Sequence, residues 1–436
     1  MDKREFKRRR KKVMDVMDHD CIAIVPTAPV RSRNRDVEYP YRPDSDFYYL
    51  TGFNEPEAVA VLAPGRPQGE YILFCRERDP EMEQWNGARA GLEGACAEFG
   101  ADDAFPISDI DDILPGLLET RSDVYYAMGY YQEFDQRMLT WVNKLRTRSR
   151  AGVNSPSQFV ALDHVLHDMR LYKSKAEIKT MAHAMDISAG AHRRAMGACR
   201  PGMTEYQIEA ELMHEFMRAG GRNVAYPPIV AGGPNACVLH YTENSARLND
   251  GDLLLIDAGV EYDYYASDIT RTFPVGGKFS REQRAIYELV LESQYAAIDK
   301  VRPGNHWNDP HEAAVEVITE GLADLGLLKG RLSTLIKKEA FRKFYMHRTG
   351  HWIGMDVHDV GDYKIEGEWR VLEPGMVMTI EPGIYIRGGE KGVAKKWHNI
   401  GVRIEDDVLV TRDKPQVLTK AAPKRIDEVE ALVGSA

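Results

Sequence analysis

Residues 253–273, LLLIDAGVEYDYYASDITRTF, begin as an unbroken apolar run that ends in one aspartate, Asp257, and carry a second, Asp268, eleven positions later. A short apolar run bounded by turn formers reads as a buried strand. Asp257 and Asp268 lie symmetrically about Tyr262–Asp263. A hairpin over 252–273 would therefore set them directly opposite each other, with Cβ atoms about 4.5 to 5.5 Å apart on one face. Carboxylates that close repel, so one stays protonated or a cation sits between them.

The pattern recurs downstream. GDLLLIDAG (251–259) is mirrored by GMVMTIEPG (375–383), with the same spacing from Gly251 to Asp257 and from Gly375 to Glu381. Arg200-Pro201-Gly202 and Arg302-Pro303-Gly304 each join two helical segments, and each pair precedes a β-rich stretch. Helix starts are marked by capping boxes at Ser174 with Glu177, Thr204 with Gln207 and Ser280 with Gln283. The second of these helices is predicted to stop at Gly220-Gly221, and the third to carry Ile286, Val290, Ala297 and Val301 on a core face before Pro303. Two copies of one helix-helix-strand-strand unit, closing face to face, account for this.

In both copies an apolar strand ends in an acid, and the second copy adds Glu405 in GVRIEDDVLV. Converging carboxylates in this number require positive charge. Hard oxygen donors in excess of one ion's needs suit a pair of Mn²⁺, Co²⁺ or Zn²⁺ ions, held about 3.5 to 4 Å apart by bridging carboxylates. A nitrogen ligand would complete the set: HRTGHWIGMDVHD (347–359) offers His347, His351 and His358, and CVLHY offers His240. A single histidine is more often structural, and it is the conjunction with acid-terminated strands in internal copies that carries the reading. No GxSxG, HExxH, Walker or GxGxxG pattern occurs, so the serine-hydrolase, zincin and nucleotide-binding classes lack their minimal signatures.

At 436 residues the chain exceeds the usual size of one core, and its composition is that of an ordinary globular protein. A net charge of −10, from 57 Lys+Arg against 67 Asp+Glu, argues against coating nucleic acid or an anionic membrane and favours small partners. Five scattered cysteines without a CxxC pair suit reduced thiols, and the amino-terminal basic cluster has no apolar segment after it, so a cytoplasmic location is expected. Phe6, Val13 and Met17 recur at helical spacing through that cluster, which predicts a helix with a solvated basic face. The runs at 21–25, 58–64, 71–75 and 124–128 predict strands of an α/β domain. The turn-rich break at 152–158 precedes a helix-dominated pattern, and the domains are expected at 1–168 and 169–436.

The acids and the 347–359 segment, with HYTEN and DITRTFPV, resemble the pita-bread metallopeptidases, which include methionine aminopeptidase and the proline-specific prolidase and aminopeptidase P. YPYRPDSDFYYLTGFNEPEAVAVL (39–62) is similar to the amino-terminal domain of aminopeptidase P in particular, so the resemblance covers nearly the whole chain. It implies an α/β amino-terminal domain followed by an α+β pita-bread catalytic domain with an internal pseudo-two-fold repeat. It implies as metal ligands Asp257, Asp268, His351, Glu381 and Glu405, normally around two manganese ions, with Asp268 and Glu405 bridging. It also implies that Glu381 shuttles protons and that His240, His347, His358, Arg403 and Tyr226 handle substrate or developing charge. The chain departs from the family pattern at Arg348, beside His347. Trp85, in EQWNGAR, fits either ordinary packing or a reach into a neighbouring subunit's cleft. The implied activity is removal of the first residue from peptides with proline second, by a homodimer or homotetramer. Dipeptide-only cleavage, as in prolidase, and a non-catalytic binding module are the alternatives.

Overall fold

The computed structural model describes residues 1–435. The chain forms two compact units, Met1–His167 and a second that begins at Asp168.

The first unit is α/β. Its six-stranded sheet runs, edge to edge, Asp103–Pro106, Tyr71–Cys75, Val59–Leu62, Ile22–Pro26, Asp123–Tyr125 and Gln158–Val160. The sheet is mixed: Ile22–Pro26 is antiparallel to Val59–Leu62 and parallel to Asp123–Tyr125. Ile22, Ile24, Val61, Ile72 and Phe74 pack with Leu114, Leu118, Met138 and Trp141 of the covering helices. The break at 152–158 stays inside this unit, because Gln158–Val160 pairs with Asp123–Tyr125. The basic amino terminus is a helix, Lys3–Met14, with Phe6 and Val13 buried as the periodicity predicts. Its basic face is not wholly solvated, however. Arg9 and Arg10 are buried, donating to the Tyr49 and Leu50 carbonyls (3.0 and 2.8 Å) with their guanidinium groups 3.9 Å from the Tyr49 and Tyr71 ring centroids. Aromatic faces and carbonyls replace the water these cations give up. Trp85 is 80% exposed, so ordinary packing within the chain is not its role. All five cysteines are free, and among the described residues no helix is long and apolar enough to cross a membrane.

The second unit repeats one arrangement twice. Helices Lys175–Ala198 and Glu205–Arg218 meet through Pro201-Gly202, and Arg281–Asp299 and Asp309–Asp324 through Pro303-Gly304; both glycines adopt a left-handed conformation (φ 91° and 87°). The boxes at Ser174 and Ser280 close as expected, each serine hydroxyl accepting from the residue three positions on. Behind the first helix pair, Leu253–Asp257 is the middle strand of a three-stranded sheet with Ile229–Gly232 and Thr270–Pro274. Behind the second, Val377–Ile380 pairs with Asp406–Leu409, and Gly383–Ile386 with Ile400–Arg403.

The hairpin register differs from the expected one. Asp257 pairs with Thr270, not with Asp268, and Tyr262 pairs with Tyr265. The turn residues are therefore Asp263 and Tyr264, both with positive φ (49° and 65°), as a two-residue type I′ turn requires. Moving the turn by one residue slides the partner of Asp257 by two, from Asp268 to Thr270, so Asp268 becomes a diagonal neighbour of Asp257 on the same face. The second copy differs: Ile380 pairs with Asp406 and Gly383 with Arg403, and that register carried between them sets Glu381 opposite Glu405.

Close backbone approach in the first hairpin falls at Gly259, where a Cβ would lie 1.7 Å from the Ser267 carbonyl oxygen. Gly259→Ala is expected to cost about 2 kcal/mol or more, because backbone rather than a flexible side chain must move. A urea midpoint unchanged from the parent protein would contradict this packing.

Candidate metal centre

The strand ends deliver the acids to one place. Tyr226 Oη lies 2.6 Å from Asp257 Oδ1 and 2.5 Å from Asp268 Oδ1, tying the diagonal pair together. A phenol has one proton, so it donates to one carboxylate and accepts from the other only if that carboxyl is protonated. The two copies meet where the Thr270 hydroxyl donates to Glu405 Oε2 (2.7 Å) and the Glu405 amide donates to the Thr270 carbonyl (3.0 Å). His351 Nε2 stands 3.4 Å from Asp268 Oδ2 and 3.7 Å from Glu381 Oε1. Ligand atoms of Asp268, His351 and Glu405 all lie within 4.8 Å of one another.

Arg403 is buried, and its three contacts are internal: Nε to Thr270 Oγ1 (3.0 Å), one Nη to Tyr385 Oη (2.9 Å) and the other to Asp257 Oδ2 (2.6 Å). It thus fixes Asp257 and, through Thr270, the Glu405 carboxylate. Tyr385 Oη also lies 2.9 Å from His347 Nε2, and His347 Nδ1 lies 3.9 Å from Glu381 Oε2. The His358 ring is 4.4 Å from that of His351 and nearly perpendicular to it. His240 is exposed, and among the described residues it makes no hydrogen bond to His347 or His358. All the anticipated residues except His240 are thus linked by direct contacts into one cluster.

Sequence reasoning missed Thr270, Tyr385, Asp407 and Arg271. In the acidic run Glu405-Asp406-Asp407, strand alternation puts Asp407 on the face of Glu405, where its Oδ2 accepts from the Asp268 amide (2.9 Å). Asp406 faces the other way and is buried against Arg271 (2.7 Å) and Lys424 (2.6 Å). Arg271 also donates to the Glu405 carbonyl (2.5 Å). Alternation in the run was the available signal for Asp407; nothing in the sequence marked Tyr385.

Burial works to raise Asp257, but the Arg403 charge and the Tyr226 hydrogen bond outweigh it and hold this carboxyl below its ordinary range. The other acids go up. Burial, then the Asp257 charge, raises Asp268; burial, then Asp268 and Glu381, pushes Glu405 well above its usual value; burial chiefly lifts Glu381 to about 7. Burial disfavours a charged His351, yet its hydrogen bond to Asp268 and the Glu381 charge lift it to about 9, whereas burial and then Arg403 push His347 down to about 3. The cluster is thus short of positive charge, and His351 takes up a proton in compensation. Divalent ions fit this donor set: oxygen-rich, with a single imidazole whose Nδ1 lies 2.9 Å from the Trp352 carbonyl, leaving Nε2 aimed at the acids.

The sign of the linkage follows from Glu381. Its pKa in the folded chain exceeds the ordinary 4.5, so the stability it contributes is present in acid and is lost as pH rises through about 7. In chelator, Glu381→Gln should therefore gain thermal stability relative to the parent chain between pH 5 and 7, and the gap should close when Mn²⁺ is added. A Tm difference that does not change with pH would contradict the charge shortage.

The whole architecture has known counterparts. Residues 179–412 match the model of metallopeptidase family M24, and residues 6–126 match the aminopeptidase P N-terminal domain. The chain is 45% identical to the Xaa-Pro aminopeptidase of Escherichia coli K12, covering 100% of this chain and 99% of the relative. It superposes with TM-score 0.99 and 61% identity on the aminopeptidase PepP of Pseudomonas aeruginosa, covering 100% of this chain and 98% of that one. A zinc-substituted E. coli aminopeptidase P in complex with product gives TM-score 0.96 at 45% identity, covering 99% of this chain and 98% of that one. With an aminopeptidase P amino-terminal domain ahead of a pita-bread catalytic unit, the chain belongs to metallopeptidase family M24.

Proposed function

We infer that this chain is a metal-dependent Xaa-Pro aminopeptidase, hydrolysing the bond between an N-terminal residue and a following proline. The observation that carries the reading is a buried carboxylate–imidazole cluster, with ligand atoms of Asp268, His351 and Glu405 within 4.8 Å, in a chain alike end to end to enzymes named for that activity. Asp257, Asp268, His351, Glu381 and Glu405 would hold two divalent ions, with Mn²⁺ favoured by the predominance of carboxylate oxygens. When bound, such ions lower the pKa of water so that hydroxide forms near neutral pH, and they polarise the carbonyl before the scissile bond.

The chain's own groups do the rest. Glu381, whose environment favours protonation near neutrality, would take a proton from the attacking water and deliver it to the proline nitrogen as it leaves. A tertiary amide needs that proton, because the departing nitrogen is otherwise a poor leaving group. Exposed His358 and His240 would donate to the developing oxyanion, and His347, kept neutral, would pass hydrogen bonds between Tyr385 and substrate. Arg403 and Tyr226 would keep Asp257 and Asp268 aligned, acting through those carboxylates. A cytoplasmic location belongs to the same proposal and is supported by five free cysteines. A homodimer or homotetramer is supported by Trp85, whose exposed indole is the kind of anchor that subunit contacts cover.

The test is a peptide series with Mn²⁺. Arg-Pro-Pro should be cleaved after arginine, and Asp268→Ala and Glu405→Ala should each lose more than about 100-fold in kcat/KM while remaining folded. Turnover of Xaa-Pro dipeptides alone would point to a dipeptidase. Parent-like rates in either variant would overturn the assignment of these acids.

A further inference from the structure

Arg348 lies one residue from His347, whose Nδ1 is 2.6 Å from the Arg348 carbonyl oxygen. Its guanidinium is exposed but held: one Nη donates to Asn308 Oδ1 (2.8 Å), and Cζ sits 5.0 Å from the Trp369 ring centroid and 5.9 Å from that of Trp307. The two indoles stack, with centroids 5.3 Å apart, so the platform under the cation is rigid. A second cation uses the same ring, Lys364 Nζ standing 4.3 Å from the Trp369 centroid. Neither Arg348 nor Lys364 makes an ion pair among the described residues. Asn308 turns its amide group to Glu312 (2.7 Å), so that acid reaches Arg348 only through a neutral side chain.

Stacking on an aromatic face does not cancel the charge of either cation. Such a pair is poised for an anion. The planar Arg348 fork, with donors left over from its single bond to Asn308, matches a carboxylate. Resting on the aminopeptidase reading of the neighbouring site, we propose that Arg348, assisted by Lys364 and backed by Trp369, binds the free C-terminal carboxylate of short peptide substrates. The placement limits their length. An extended chain advances roughly 3.3–3.6 Å per residue, so only a chain of one particular short length sets its terminal carboxylate against a fixed cation. The enzyme is thereby tuned to short peptides over longer chains.

The experiment compares Ala-Pro-Ala and Ala-Pro-Ala-Ala with their C-terminal amides, using the full-length Mn²⁺-loaded protein. The parent enzyme should favour at least one acid over its amide by roughly tenfold or more in kcat/KM, the scale of a charge-assisted hydrogen bond. Arg348→Gln should bring that ratio close to one, Arg348→Lys should retain part of it, and Lys364→Gln should lower it partly. Equal turnover of acid and amide by the parent enzyme, a comparison that needs no variant to fold, would overturn this inference alone. A ratio that survives Arg348→Gln would do the same. Turnover of none of the four peptides would overturn the aminopeptidase reading and this inference with it.

Discussion

Everything in the catalytic unit is arranged around a crowd of buried and half-buried acids. Asp257, Asp268, Glu381 and Glu405 converge with one imidazole and one guanidinium, and the protein's own cations do not balance them. The consequence falls on the individual groups: Arg403 holds one carboxyl below its ordinary range, burial and neighbouring like charge raise the other three, and the acids around His351 raise it. Burying like charges is costly unless something positive is shared between them. The function and the fold of this unit are therefore one problem, because the scaffold must hold acids where they are least stable.

The scaffold meets that cost with opposed charges placed just behind the site. Arg271 and Lys424 enclose Asp406, and Arg271 reaches on to the Glu405 carbonyl, so the strand beginning just after Glu405 is fixed from its far face. Arg170 and Lys173 enclose Asp359 at 2.6 and 3.0 Å, anchoring the loop that presents His351 and His358. Such buried pairs add little net stability. Their effect is positional, since breaking one would leave a charge stranded in the interior and displace the strand or loop it holds.

Much of this was legible in the residue pattern. Acid-terminated apolar strands in two internal copies located the cluster, and the paired Pro-Gly joints and capping boxes located the helices that back it. Symmetry between the acids favours a turn at Tyr262–Asp263. The backbone instead places left-handed residues at Asp263 and Tyr264, and register follows the turn. The basic amino-terminal helix was read as solvated because one-dimensional spacing does not reveal that Tyr49 and Tyr71 offer ring faces to Arg9 and Arg10. Tyr385 and Thr270 were invisible for a similar reason: Thr270 becomes a site residue only through its bond to Glu405 of the other copy, and Tyr385 only through bonds to Arg403 and His347 far along the chain, which no local pattern encodes.

The most direct test of the account is an anomalous difference map from crystals grown with Mn²⁺. Two peaks roughly 3.5–4 Å apart, bounded by Asp257, Asp268, His351, Glu381 and Glu405, are what the charge shortage predicts. A featureless map there, with the acids in the positions described and no ion between them, would contradict it.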